Sequence, residues 1–510
     1  MKKEISTVKA LASFAAETYG EKDYCRFFRG EEMCAKTFAE FYKDALAMCR
    51  YIRALDTKKM HIGFIGKTSY EYVACLTGMI FSGNTVVPFA PDISVEEACK
   101  LFDDADIEIL FCEEEFKERA EEIKSKYSGL RQVVSLGDWH WFEEMFVKYS
   151  SSEFESLSDI ETNPEDCALI IYTSGTTGDR KGVMLSSSNL LANSCYEGHV
   201  NYGEDISFSV LPMHHVFCYS SDVLRSLYDG TTICLNGELV NLFKNFLAFK
   251  PTVMRVVPLM CKSILTRIKI TEKRNPGISK REAADKVVGE NFKRMLAGSA
   301  FLSPALIDEL AEYGIIARQG YGMSECSPRI SVCDFSEKNK YSNGILTGID
   351  EVRIQDSEIQ VKGPSVMMGY YKKPEKTKEA FTEDGWLHTG DLGFIKDGHV
   401  FLVGRKKNLI ILSNGENISP EEIENCFADD GVIKEVIVYA EQDKIMAEIF
   451  PDEALAKASG IEDIYGEVEA IVDRVNVNLH SDRQIHSFKL REKPFPRTTT
   501  GKIKRTEFHF

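Results

Sequence analysis

The chain has 510 residues, 44% of them hydrophobic, and a formal net charge of −17. That length and apolar share support large self-sufficient cores in about three domains. The acidic balance excludes a chain-wide basic footprint for nucleic acid, and an acidic surface disfavours anionic membranes.

From the amino end, Met1-Lys2-Lys3-Glu4-Ile5-Ser6 leads into a helical spacing of Val8, Leu11, Phe14 and Ala15, without a signal-type apolar core. The most apolar stretch, 72–90, is broken by Thr77, Ser82, Gly83, Asn84 and Pro88, which predicts helix, turn and buried strand, not a membrane span. Between 60 and about 320, β-rich runs at 61–65, 85–88, 107–111, 167–171, 231–235 and 253–257 alternate with helical patterns such as 94–102 and 238–249. This predicts a large amino-terminal domain of layered α/β sheets, mostly parallel, whose ligands sit beyond the carboxyl ends of strands. From about 346 to 405 the texture changes to short strands, at 352–354, 358–361 and 399–403, separated by glycine turns, as in a small β-rich subdomain. After Arg405-Lys406-Lys407 comes a last segment of about a hundred residues. It opens with Leu409-Ile410-Ile411-Leu412, turns at 413–416 and starts a helix with Ser419 as cap and Pro420 in the first position. The 14 cysteines include no C-x-x-C pair, which predicts packed, reduced thiols in a cytoplasmic protein and neither a disulfide frame nor a zinc site.

The most informative run is Tyr172-Thr173-Ser174-Gly175-Thr176-Thr177-Gly178-Asp179-Arg180-Lys181-Gly182. Glycine lets backbone N–H groups close around phosphate oxygens, the hydroxyls donate, and Lys181 adds charge. It is not a Walker A loop, because Lys181 follows Arg180 and precedes Gly182. The competing reading is an unengaged surface loop. In Gly320-Tyr321-Gly322-Met323-Ser324-Glu325, Tyr321 could stack on a base and Glu325 hold Mg²⁺, or the run is an ordinary turn. Asp391, between glycines in His388-Thr389-Gly390-Asp391-Leu392-Gly393, could accept both hydroxyls of a ribose, or make a turn between strands. Adjacent His214 and His215 lack a third ligand at metal spacing and fit a pocket wall better. The basic run Arg497-Thr498-Thr499-Thr500-Gly501-Lys502-Ile503-Lys504-Arg505 admits a solvated tail, a nucleic-acid patch or a lysine carried into an active site. The acidity of the chain argues against the second.

Taken together, the segments 172–182, 321–325, 385–393, 404–424 and 497–505 resemble, in order and separation, the adenylate-forming superfamily over essentially the whole length. Gly404-Arg405-Lys406-Lys407-Asn408-Leu409-Ile410, with Asn414-Gly415-Glu416-Asn417-Ile418 and Pro420-Glu421-Glu422-Ile423-Glu424, looks most like its fatty acyl-CoA synthetase branch. The resemblance implies a two-step ligase using ATP, Mg²⁺ and coenzyme A. A carboxylic acid takes AMP from ATP with release of pyrophosphate, and a thiol then displaces AMP. Transfer to the phosphopantetheine of a carrier protein is the alternative, and a non-catalytic nucleotide-binding protein the remote one.

By that resemblance, Thr173, Ser174, Gly175, Thr176, Thr177, Gly178 and Lys181 hold the β- and γ-phosphates. Gly298, Ser299 and Ala300 run along the adenine and acyl pocket. Tyr321 lies on the adenine, Ser324 near the α-phosphate and Glu325 on Mg²⁺, while Asp391 and Arg405 bind the ribose. Lys502 contacts the carboxylate and α-phosphate, His215 stands near the carboxylate and thiol channel, and Gly415 lines the pantetheine path. Lys407 sits in a hinge at 406–407, between a domain of 1–405 and a small mobile α+β domain of 408–510. Three departures stand out. Ser324 replaces the usual threonine, Ser187-Ser188-Asn189 lacks the usual histidine, and 216–222 is more polar than a long-alkyl tunnel requires.

Overall fold

A computed structural model describes residues 5–173, 180–196, 203–413, 415–496, 503 and 505. Three seven-stranded sheets carry the chain up to Arg405. The first runs Ile316–Gln319, Arg294–Ala297, Val253–Val256, Ile206–Ser209, Thr232–Leu235, Asp23–Arg29 and Glu32–Thr37, parallel except for the final hairpin. The second runs Gly369–Tyr370, Lys181–Ser186, Cys167–Thr173, Thr85–Phe89, His61–Ile65, Ile109–Glu113 and Gln132–Leu136. Its first three strands are antiparallel and the rest parallel. The predicted layered α/β fold is present.

The apolar stretch at 72–90 resolves as expected. Helix Tyr70–Phe81, capped by Ser69, is buried on nearly every side in a core shared by the two sheets, and the turn at Ser82 and Gly83 feeds strand Thr85–Phe89. All-round hydrophobicity is what a helix covered on all faces needs. The strand expected at 107–111 lies two residues later, at Ile109–Glu113. Ile107 is instead packed below it in the core.

The third sheet is antiparallel: Tyr321–Gly322, Arg329–Val332, Ile345–Leu346, His399–Arg405, Leu387–Lys396, Glu358–Lys362 and Glu351–Gln355. It takes in strands upstream of 346, because Tyr321 and Gly322 leave the first sheet and pair with Arg329–Val332. Beyond it, hairpin Ile410–Ile411/Asn417–Ile418 and sheet Ile433–Glu441, Lys444–Pro451, Ser487–Leu490 enclose a separate core with helices Pro420–Asn425 and Ile464–Val477. Ser419 does sit at the cap of helix Pro420–Asn425, with Pro420 in the first turn, but its hydroxyl makes no cap bond. It donates to Val403 O at 2.9 Å and Glu421 at 3.1 Å, tying this helix to the last strand of the third sheet.

Candidate active site

The glycine–hydroxyl run begins and ends in a pair of antiparallel strands, a β-hairpin. Strands Cys167–Thr173 and Lys181–Ser186 are paired so that Thr173 faces Lys181. Lys181 therefore begins a strand, and its backbone is fixed by the ladder. Of the residues assigned to phosphate, Thr173 and Lys181 are thus placed at the two ends of the run, and Ser174, Gly175, Thr176, Thr177 and Gly178 lie outside the described residues.

Strand Gly369–Tyr370 pairs with the outer edge of this hairpin. It lays the Tyr370 ring under the Lys181 ammonium, 4.5 Å from ring centroid to Nζ. The Tyr370 hydroxyl donates to Glu325 Oε1 at 2.9 Å. Burial first, then the Glu325 charge, pushes the Tyr370 pKa well up, so the phenol stays a donor. One tyrosine thus joins the lysine of the hairpin to the carboxylate expected to hold a metal. Glu325 is buried, and Oε1 has its donor. A hard cation favours such a carboxylate, with water and phosphate oxygens completing its shell. No group of three or more His, Cys, Asp or Glu gathers as a protein-only metal cage among the described residues.

Helix Ser187–Ser194 braces the hairpin from behind. Its opening Ser186 and Asn189 cap each other, and Asn189 Nδ2 donates to Pro364 O at 2.8 Å and Val366 O at 3.0 Å. Asn193 Nδ2 donates to Cys326 O and Arg329 O, both at 2.9 Å, just beyond Ser324 and Glu325. The missing histidine in 187–189 therefore leaves the helix well anchored.

Tyr321, Asp391 and Arg405 are brought together. The buried Asp391 faces Arg405 across two antiparallel strands. It accepts the Tyr321 hydroxyl at 2.7 Å and pairs with Arg405 Nε at 2.7 Å. Beside them a cavity of about 330 Å³ is lined by Thr389, Gly390, Arg405, Lys406 and Lys407. Glu358 stands in no motif of the sequence. It is nearly buried, accepts Gly390 N at 3.1 Å, and pairs with His388 and Lys406, both at 3.0 Å. Burial pushes its carboxyl up, but Lys406 and His388 bring it net below its usual value. It steadies both the strand that carries Asp391 and the chain entering Lys407.

His215 and Gly298 sit beyond the carboxyl ends of strands Ile206–Ser209 and Arg294–Ala297 in one sheet. A methyl on Gly298 would lie 3.6 Å from the Phe217 ring, so the two segments share a wall. Ser299, with φ 70°, and Ala300 follow on the exposed side, and Gln319 Nε2 holds Ala300 O at 2.6 Å. Burial drives the His214 pKa down to about 3, with His215 adding to it, so His214 is a neutral wall residue. Gly415, with φ 85°, is exposed and clear of other atoms in its turn. Lys502 lies outside the described residues, but Arg505 pairs with the partly buried Glu424. The polar run 219–222 proves to be core. Asp222 accepts Ser209 Oγ at 2.8 Å and Arg255 Nη1 at 2.7 Å, and Ser220 bonds Ser194 at 2.8 Å.

Comparison with known proteins adds the following. The family model "AMP-binding enzyme" matches residues 14–371, and "AMP-binding enzyme C-terminal domain" matches residues 407–509. The chain is 28% identical over 449 residues to long-chain-fatty-acid–CoA ligase 5 of Rattus norvegicus, covering 74% of this chain and 65% of that one. It is 32% identical over 327 residues to the peroxisomal long chain acyl-CoA synthetase 7 of Arabidopsis thaliana, covering 54% and 46%. It therefore spans less than two thirds of the length of these relatives. Among solved structures, the anthranilate CoA ligase AuaEII bound to anthranoyl-AMP superposes with a TM-score of 0.82 at 18% identity, covering 98% of this chain and 96% of that one. No helix among the described residues is long and apolar enough to cross a membrane.

Proposed function

This chain belongs to the AMP-binding enzyme family, and from that premise we propose that it is an AMP-forming acid–thiol ligase acting on a fatty or related carboxylic acid. The observation that carries the reading is the junction at Tyr370, where the hairpin lysine and the Glu325 carboxylate meet, beside the Tyr321–Asp391–Arg405 cluster. In the first step a carboxylate oxygen of the acid bonds the α-phosphorus of ATP, and the bond from that phosphorus to the β-bridging oxygen breaks. Pyrophosphate leaves, and the acid becomes a mixed anhydride with a reactive carbonyl. In the second step the sulfur of coenzyme A bonds the acyl carbon and AMP departs.

Lys181 neutralises phosphate charge from a position its strand fixes, and Asp391 with Arg405 orients the ribose. Glu325 would hold Mg²⁺, which supplies charge neutralisation to the triphosphate. Lys502 stabilises the charge that builds up on the α-phosphate, a role for which the Glu424–Arg505 pair gives the tail its anchor. The small domain, 408–510, turns about 406–407 between the steps and brings Gly415 to the thiol path. Asp222 and Ser220 are engaged within the core, and the similarity to long-chain acyl-CoA ligases is what supports a fatty acid. Fourteen cysteines, none in a disulfide, fit a cytoplasmic setting.

The test is release of pyrophosphate with Mg²⁺ and ATP over short, medium, long and aromatic acids, with coenzyme A present and absent. Thioester formed with coenzyme A supports the reading. Thioester formed only on a carrier protein moves the acceptor to that partner. Nucleotide binding without pyrophosphate from any acid overturns the ligase reading.

A further inference from the structure

Net charge misdescribes this surface. Residues 242–294 hold thirteen Lys and Arg against four Asp and Glu, a net charge of +9 within a chain of −17. Their centre is helix Pro258–Arg274, which covers the first sheet through Cys261, Ile264, Leu265 and Ile268. At 3.6 residues per turn its outward arc has an ordered composition. Leu259, Ser263, Thr266 and Ile270 form the ridge, Lys262, Lys269 and Lys273 lie along one flank, and Arg267 and Arg274 lie along the other.

The ridge is apolar in effect. Leu259 is 73% exposed and Ile270 40%. The two hydroxyls between them are satisfied within the helix, Ser263 donating to Leu259 O at 2.9 Å and Thr266 to Lys262 O at 2.8 Å. The one acid on the helix, Glu272, is turned inward and accepts the Tyr313 hydroxyl at 2.5 Å. Arg267 lies over the Phe243 ring at 5.6 Å, which sets helix Leu242–Phe249 alongside. Leu247 on that helix, 47% exposed, and Val240 in the turn Leu239–Asn241 before it, 84% exposed, continue the apolar surface. Of the five flanking cations, Lys269 pairs with Glu309 and Arg267 is stacked on Phe243.

We propose that this face docks on an anionic lipid surface, with Leu259, Ile270, Val240 and Leu247 at the level of the headgroups and Lys262, Lys273 and Arg274 on the phosphates. Screening confines attraction to charges within about 8 Å at physiological salt, so the local cluster governs docking while the distant acidic surface contributes little. Long basic side chains lay their stems on apolar surface and keep their heads in water, as an interfacial helix requires. A convex ridge without an aromatic anchor offers a protein partner no pocket, whereas a bilayer needs none. The helix begins beyond the carboxyl end of strand Val253–Val256, on the same sheet edge as His215 and Gly298. Docking there would set the edge that we assign to the acid pocket toward the source of an amphipathic acid. The docking itself does not depend on the ligase reading.

The test is co-sedimentation of the full chain with phosphatidylcholine vesicles, with and without phosphatidylglycerol. Binding is expected to the anionic vesicles only and to be lost at raised salt. Each cation removed should weaken it by about fivefold, so Lys262→Glu with Lys273→Glu and Arg274→Glu should abolish it. Leu259→Ser should weaken it several-fold with the salt dependence kept, and Lys58→Glu, on another face, should leave it intact. Should the triple variant melt early, Leu259→Ser and the salt titration carry the test. No binding to anionic vesicles, equal binding to neutral ones, or unchanged binding by the folded triple variant would overturn the proposal. So would vesicles being ignored while an acidic carrier protein binds the native chain and not the triple variant.

Discussion

Glu424, in the helix that opens the small domain, forms an ion pair with Arg505, three residues beyond Lys502. The same carboxylate accepts Val438 N at 2.7 Å, so Arg505 is tied to the small-domain core through one acid. If Lys502 acts in the first half-reaction, Glu424→Gln should slow pyrophosphate release by about 10- to 100-fold, since small misplacements of a reacting group carry penalties of that size. Thioester formation from a supplied acyl adenylate should stay within about twofold, because charge on the α-phosphate no longer builds up there. Lys502→Ala should show the same split more strongly. Stopped-flow assays of the two halves check both variants, and an equal loss in each half counts against the role given to the tail.

Tyr370→Phe keeps the ring under Lys181 but removes the donor to Glu325. A buried carboxylate that loses a hydrogen bond costs about 1–3 kcal/mol. The urea midpoint should fall accordingly, and the Mg²⁺ concentration for half-maximal pyrophosphate release should rise several-fold. An unchanged Mg²⁺ dependence would separate Glu325 from the metal.

The buried pair of Asp222 with Arg255 should be a stability element without a catalytic role. Asp222→Ala leaves a guanidinium in the core, at a cost of about 3–5 kcal/mol. Denaturant unfolding should show that loss. Remaining folded protein should retain its KM for the acid, which a tunnel-lining Asp222 would not allow.

Glu113 gives the fold a pH dependence. Its Oε2 accepts Lys67 N at 3.1 Å. Burial first raises its pKa from 4.5 to about 7, with Lys67 N opposing and Glu115 adding. The folded state then keeps the proton longer than the unfolded chain, so stability declines as pH rises from about 4.5 to 7 and levels off above. Glu113→Gln should remove this decline, worth up to about 3 kcal/mol. Unfolding curves across that pH range for both proteins supply the measurement.

The parts legible in the sequence share one property: their reason is local. The alternation of apolar runs and helices exposed the parallel strands His61–Ile65 and Val253–Val256, because strands covered on both faces are apolar throughout. Strand Asp23–Arg29 escaped notice, since its charged residues find partners far along the chain, Arg29 on Glu71 and Glu143. Strand Lys181–Ser186 begins within the glycine–hydroxyl run 172–182, whose composition reads as loop. At the site, Lys181, Glu325, Asp391 and Arg405 stood out by residue type within glycine-rich runs. Tyr370 and Glu358 did not, because each acts through residues 30 or more positions away. The partners of the polar run 216–222 are equally distant, Arg255 lying 33 residues beyond Asp222.

The hydroxyl of Ser419 on the carbonyl of Val403 has a mechanical meaning. Together with Ser303 bound to Asp429 at 2.5 Å, it spans the line about which the small domain would swing. If the small domain turns about 406–407 as proposed, it has to part both contacts, so the motion would meet a threshold, like a catch, in place of free tumbling. Gly404 leaves the room in which that catch closes, since a methyl there would meet Ser419 Oγ at 2.0 Å. Timing between the two chemical steps would then be held in a serine and a glycine that never touch the nucleotide.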